Sequence, residues 1–364
     1  MFVGRSGVRA LLVGIAAAML GAACGTPDSG SASPTPLDVG SGSLTGTGAT
    51  FPAPFYNKAF YDYNAQHPQV TVIYNPLGSG AGISQFQKGT VDFGASDVPM
   101  GAADIAKVPG GASALVQVPT TLGVISVTYN LSGVNRLQLD GPTIANIYLG
   151  HISKWNDPAI TAVNSGVSLP SSAIQVVHRA DSSGTSYHFT DYLAKVSDEW
   201  KSKVGVGKAV SWPAGIGASQ NAGVAQAVTS TPGAIGYVEL AFVVQTGMSQ
   251  AFIKNANGKF VQASVAGATA AAAQNTNVSP TNFSIANEPG DATYPIAGFS
   301  WVMLPTSLSD ANKGKALVYL FKWLVTDGQS DGTSLQYAAL PKPVQDLALT
   351  NLKTIQAGGK PVLA

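Results

Sequence analysis

AIQVVHRADSSGTSYHFTDYL, residues 173–193, is the stretch that decides the fold class. Its first part, 173–180, is rich in β-branched residues and reads as a buried strand. Small polar residues follow from Asp181, and they suit a tight turn better than a strand or a core. Phe189, Tyr192, Leu193 and Val196 then recur at the spacing of one helix face. Strand, turn and helix in this order form a βα unit, the building block of parallel sheets.

The same order recurs along the chain. QVTVIY (69–74), TVDFGAS (90–96) and VISVTYN (124–130) are further strand patterns. Phe55, Tyr56, Ala59, Phe60 and Tyr63 make one apolar helix stripe, and Leu317, Leu320, Phe321 and Leu324 make another. Stripes of this kind are core faces. The alternation predicts an α/β fold with mainly parallel sheets. A single sheet of this length would be large, so two lobes are expected. Residues 44–121 and 297–364 are assigned to one lobe and 122–296 to the other, with crossovers near Pro119–Gly123 and Ile296–Ser300. The Ala-rich run 263–274 fits either a helix or a surface segment.

Of the 364 residues, 45% are hydrophobic and only 11% charged, with a net charge of +1. No basic surface for nucleic acid is indicated. At the start, Arg5 and Arg9 precede the apolar stretch Ala10–Leu20, which is too short to span a bilayer as a helix. Gly21, Ala22 and Ala23 lead to Cys24, the only cysteine. This is the pattern of a secretory signal, assigned to 1–23. It resembles the bacterial lipobox, with Leu20 four residues before the cysteine and Gly21 three before. That resemblance implies diacylation of Cys24, which would become the mature N-terminus, and two acyl chains anchor stably. Residues 24–43 are rich in Gly, Ser and Pro and read as a tether.

Three segments share one design, small residues between a strand end and a helix start. They are Gly48-Ala49-Thr50-Phe51-Pro52, Gly78-Ser79-Gly80-Ala81-Gly82, and Arg179 to Thr185. A helix N-terminus presents unpaired N–H groups and the positive end of the peptide dipole. Glycine admits a ligand to that backbone, and Ser or Thr adds a hydroxyl. Any one segment reads equally as a plain helix cap. Three together, one with Arg179, point to a shared anion. None has the Walker spacing, so nucleotide hydrolysis is not indicated.

Asp97, in FGASDVP, is the odd residue. A carboxylate would repel an anion unless the anion brings a proton to donate. Phosphate at neutral pH brings one and sulfate does not, so an ionised Asp97 would select between them. The competing reading is a turn aspartate.

Five blocks carry a family resemblance: LTGTGATFPAPFYNKAF, GSGAGISQFQKGTVDFGASDVPM, DGPTIANIYLGHISKWNDPAI, VVHRADSSGTSYHFTDYLAKVSDEWKSKVGVG and TPGAIGYVELAFV. They resemble the phosphate-binding proteins of the high-affinity phosphate ABC transporter, the PstS family. The likeness covers nearly all of the chain after Leu44 and is looser beyond Val261. It implies a two-lobed type II periplasmic-binding-protein fold with a hinge, binding inorganic phosphate between the lobes without catalysis or cofactor. The expected partners are integral-membrane permease subunits with a cytoplasmic ATPase, and the expected state is a monomer anchored outside the cytoplasm through Cys24. By motif, the ligand residues implied are Ala49, Thr50, Phe51, Ser79, Asp97, Arg179, Ser183, Gly184 and Thr185, with Asp181 holding Arg179. Ser182 stands where the family often has Gly.

The four histidines show no metal-ligand spacing, so no metal is expected. His178 reads as structural. The segment around Ser79 lacks the Gly-x-Ser-x-Gly elbow. A secreted phosphatase is disfavoured because no two-metal cluster is visible, and a surface lipoprotein with an interaction role stays open as a secondary reading.

Overall fold

The computed structural model describes residues 37–363. The signal segment 1–23, Cys24 and the tether up to residue 36 lie outside the described residues.

Nine strands form the main sheet. In chain order they are β1 Gly42–Gly48, β2 Val70–Asn75, β3 Phe93–Ser96, β4 Leu115–Tyr129, β5 Gln175–Arg179, β6 Ile216–Ala218, β7 Ala234–Glu239, β8 Ser249–Gln250 and β9 Ala297–Pro305. Their spatial order is β2-β1-β3-β9-β4-β7-β5-β6, with β8 on β4. The helices that matter for the site are α1 Ala53–Gln66, α2 Ser79–Gln87, α3 Gly184–Val196, α4 Gln220–Ser230 and α5 Leu240–Thr246. Further on come α6 Val265–Ala272 and α7 Ala311–Val325. The Ala-rich run is thus a helix, with Gly267, Ala268, Ala271 and Ala272 buried.

Both flanks of the sheet are parallel, as the βα pattern predicts: β1 pairs with β2 and β3, and β5 with β6 and β7. The middle differs. There β9 runs antiparallel to both β3 and β4, and β4 antiparallel to β7. These two long strands pass from one half of the sheet to the other. Strand β4 is buried almost throughout, as a central strand covered on both faces must be. It begins at Leu115, well before the 124–130 pattern, because the sheet absorbs Pro119. The register against β9 shifts there, with Ser300 opposite Thr121 and Trp301 opposite Pro119. A bulge is where a strand tolerates a residue without an N–H.

The apolar stripes are core faces. Phe55, Tyr56, Ala59, Phe60 and Tyr63 of α1 are buried, as are Leu317, Leu320, Phe321 and Leu324 of α7. Each of the Phe and Leu side chains stabilises by about 1.5–3 kcal/mol when fully buried. Phe189 of α3 stacks on Tyr237 of β7, ring centres 4.2 Å apart. That stack links the core to the site, because the Tyr237 hydroxyl accepts the backbone N–H of Arg179 at 3.1 Å.

Candidate functional site: a cradle where four strand ends meet

The segments that follow β1, β2, β3 and β5 converge on one buried cluster. After β1 the chain turns at Gly48, whose φ is +145° and whose added Cβ would stand 1.9 Å from the Ala95 carbonyl oxygen. Only glycine fits there. The next residues are pinned by their backbone. Ala49 donates its N–H to Ala95 O at 3.0 Å, and its carbonyl accepts the Tyr74 hydroxyl at 2.6 Å. The Phe51 carbonyl accepts the Tyr337 hydroxyl at 2.6 Å. Among the described residues, the N–H groups of Thr50 and Phe51 donate to no protein acceptor. Ala49 therefore corrects the sequence expectation, since both its backbone groups are engaged internally and it has no donor left for a ligand. Phe51 contributes backbone only, because its ring is fully buried against Tyr337.

After β2, Gly78 takes φ +100° and opens α2 at Ser79. A Cβ on Gly78 would lie 2.5 Å from Asp181 Oδ2. Ser79 is fully buried, and its hydroxyl oxygen accepts the N–H of Asp97 and that of Gly184, each at 3.1 Å. Its own hydrogen points to Asp97 Oδ2 at 3.4 Å. Asp97 follows β3, is 1% exposed, and accepts the Ser300 hydroxyl at 2.6 Å. Burial pushes its carboxyl up to about 7, against the opposing pull of Ser300, the Arg179 charge and Ser79.

Arg179 ends β5 with its guanidinium buried. It grips Asp181 through Nε at 2.8 Å and Nη2 at 2.5 Å, and reaches Thr185 Oγ1 from Nη1 at 3.3 Å. Two of its five N–H hydrogens remain without a partner among the described residues. Burial acts to raise Asp181, but the hydrogen bonds and charge of Arg179 overcome it and hold the carboxyl below its ordinary value. The fork-on-fork pair fixes the guanidinium plane. Ser183 is the N-cap of α3, accepting Ser186 N–H at 3.1 Å, and its own N–H goes to Lys208 O at 2.8 Å. Its hydroxyl hydrogen stays available. An added Cβ on Gly184 would come within 2.4 Å of Asp97, so glycine permits the two sides to touch.

The two halves are in contact at several points. Gly80 N–H meets Ser182 O at 3.0 Å, so Ser182 lends its backbone to the junction. Lys208 approaches Asp104 at 3.5 Å. His178 stacks on Trp212, ring centres 4.8 Å apart. Among the described residues no cluster could hold a metal ion, and no helix is long and apolar enough to cross a membrane.

Four residues escape sequence reasoning. Asn221 donates from Nδ2 to Thr50 Oγ1 at 3.0 Å and to Thr185 Oγ1 at 3.2 Å, joining the two sides. It follows Gln220, which sits at φ +64° and whose N–H binds Asp181 at 2.9 Å. The stretch GIGASQNAG is a small-residue helix start of the same design as the others, and that signal could have found it. Ser300, Tyr337 and Glu239 carry no local signal, since each acts from a distant strand or loop.

The family described as a PBP superfamily domain matches residues 32–323. The phosphate-binding protein PstS of Xylella fastidiosa (strain Temecula1) is 41% identical over 82% of this chain and 81% of its own. That of Pasteurella multocida is 41% identical over 83% of this chain and 87% of its own. The structure resembles a phosphate-binding protein from Stenotrophomonas maltophilia, with TM-score 0.65, 21% identity, and coverage of 85% of this chain and 93% of that one. At that identity the structural likeness speaks to the fold, the two-lobed periplasmic-binding-protein architecture. The sequence relatives reach further, and by them the chain belongs to the PstS family of phosphate-binding proteins.

Proposed function

We propose that this protein binds inorganic phosphate in the cradle and delivers it to an ABC-type membrane importer. The observation that carries the reading is the pairing of unlike groups in one buried cluster. A single guanidinium, with its charge balanced by Asp181, stands with helix N-termini opposite a buried acid, Asp97. Donors alone would hold any oxyanion. A carboxyl among them suits an oxyanion that shares a proton with it, which phosphate does.

In this reading Thr50, Phe51, Ser183, Thr185 and Arg179 supply donors and Asp97 the acceptor, while Ser79 and Gly184, whose hydrogens go to Asp97 and to Ser79, hold the wall of the cradle. Residues 44–121 and 297–364 form one lobe and 122–296 the other, flexing on β4 and β9, the two strands that run between the halves. The closed form would dock on integral-membrane permease subunits driven by a cytoplasmic ATPase. The protein would act as a monomer outside the cytoplasm, held by acyl chains on Cys24, and it would catalyse nothing. A lipid-modified N-terminus at Cys24 should be visible by mass spectrometry of membrane extracts.

Calorimetric titration of phosphate-stripped protein with phosphate, arsenate and sulfate tests the reading. Saturable heat with phosphate and arsenate and none with sulfate is expected. No heat with phosphate overturns it.

A further inference from the structure

Both ligand-facing residues of the 49–51 turn are tied to Glu239. Its N–H donates to Asn221 Oδ1 at 3.2 Å, and the Asn221 amide holds Thr50. Its carboxyl lies 2.9 Å from the Tyr337 hydroxyl, which holds Phe51. Glu239 closes β7 and caps α5, so its place is set by the half of the sheet opposite to that turn.

The hydrogens at Tyr337 can be counted. The hydroxyl has one. The Phe51 carbonyl can only accept, and at 2.6 Å it takes that hydrogen. The 2.9 Å contact with Glu239 Oε2 then needs a hydrogen from the carboxyl. A carboxylate there would face a tyrosyl lone pair in a fully buried position. Among the described residues no cationic side chain pairs with it, and Oε1 has no partner. Oε2 also accepts Ala241 N–H at 2.8 Å, for which the acid oxygen keeps a lone pair.

We propose that Glu239 is a carboxylic acid in the folded protein and a positioning residue for the 49–51 turn, donating to Tyr337, which in turn donates to the Phe51 carbonyl. With that carbonyl held from behind, the turn keeps its N–H groups for the ligand. The proton also removes a second negative charge from the neighbourhood of Asp97. Burial is the largest influence raising Glu239 well above its ordinary range, the nearby Ala241 and Leu240 backbone and the contact with Tyr337 oppose it, and Asp97 adds to the rise. The ionisable groups around it are Tyr337 and, from the end of β3, Asp97, with Tyr56 of α1 beyond Tyr337. Tyr337 is itself pushed well above its ordinary value by burial and stays neutral.

The consequence for binding rests on the phosphate reading; the protonation does not. Infrared difference spectra of the full chain, wild type against Glu239→Gln at neutral pH, should show a protonated-carboxyl carbonyl band that shifts in heavy water and is lost in the variant. Absence of that difference band overturns the proposal. Phosphate titration then tests positioning. Glu239→Leu and Tyr337→Phe should each weaken binding about tenfold, the effect of losing one buried hydrogen bond. Glu239→Gln should recover part of the loss, because an amide nitrogen in the place of Oε2 can donate to Tyr337, although it cannot accept from Ala241. A Glu239→Gln variant as weak as Glu239→Leu overturns the positioning role. Wild type that shows the infrared band yet takes up no phosphate would remove the phosphate reading and leave the protonated acid standing.

Discussion

The two sides of the cradle hold their polar groups by opposite means. On the side of residues 179–185 a buried guanidinium is clamped by a carboxylate, so the charge is fixed in place and nearly balanced. On the side of residues 49–51 and 97 no cationic side chain forms an ion pair with the acid among the described residues. There the backbone is held by tyrosine hydroxyls and the acid by serine hydroxyls. On the phosphate reading the first arrangement would attract an anion of any kind. The second would add backbone donors and test whether the anion carries a proton. Attraction and discrimination are therefore separable by mutation.

The largest effect is expected from Arg179→Ala. Charge-assisted hydrogen bonds contribute about 1.5–3 kcal/mol each, and the change also leaves Asp181 part-buried without its partner. Phosphate affinity should fall by about two orders of magnitude in calorimetry. The sulfate-to-phosphate ratio should stay unchanged well below pH 7, where Asp97 keeps its proton with or without the Arg179 charge that pulls it down. A ratio that changes there would break the division between the two sides, and unchanged affinity would put the anion elsewhere.

Gly184→Ala strikes the point where the sides touch. Its Cβ would meet Asp97 at 2.4 Å, so one side must retreat. Overpacking costs about 1–3 kcal/mol, which predicts roughly tenfold or greater loss of phosphate affinity, read as faster dissociation in stopped flow. Alanine is the better helix former, so thermal stability without ligand should not fall. A stability loss as large as the affinity loss would mean that the contact belongs to the fold rather than to closure.

Much of this was legible in the sequence where the chemistry is local. The turn from Arg179 to Thr185 joins strand to helix within a few residues, and its Ser183 cap and Asp181 clamp are contacts over two or three positions. The apolar stripes of α1 and α7 likewise follow from spacing alone. What stayed hidden depends on distant partners. Pro119 looks like a breaker in β4 until β9, far along the chain, supplies the bulged register that accommodates it. Ser300 reaches Asp97 across 203 positions and Tyr337 reaches Phe51 across 286. The engagement of Ala49 is hidden for a related reason, since its hydrogen bonds to Ala95 and Tyr74 are made by neighbouring strands.

The smallest effect, and the sharpest test of the discriminating side, is the pH dependence of selectivity. Asp97 is pushed up to about 7 by burial. Sulfate brings no hydrogen, so it can sit against Asp97 only when the carboxyl keeps its proton. Below about pH 7 that proton is in place; above it, binding sulfate requires proton uptake, at about 1.4 kcal/mol or tenfold per unit. Phosphate supplies its own hydrogen on both sides of this range. The phosphate-over-sulfate preference should therefore rise as pH climbs past 7, by up to about tenfold per unit, and level off below. Asp97→Asn removes the titrating group and offers sulfate an amide donor at every pH. The variant should accordingly bind sulfate more tightly, keep measurable phosphate binding, and show a preference that no longer varies with pH. Paired titrations of wild type and variant at one pH unit either side of neutral, at fixed ionic strength, read the difference directly. A wild-type preference that stays flat across that range, or an Asp97→Asn variant that still refuses sulfate, would reduce Asp97 to a turn residue and leave selectivity to the shape of the cradle.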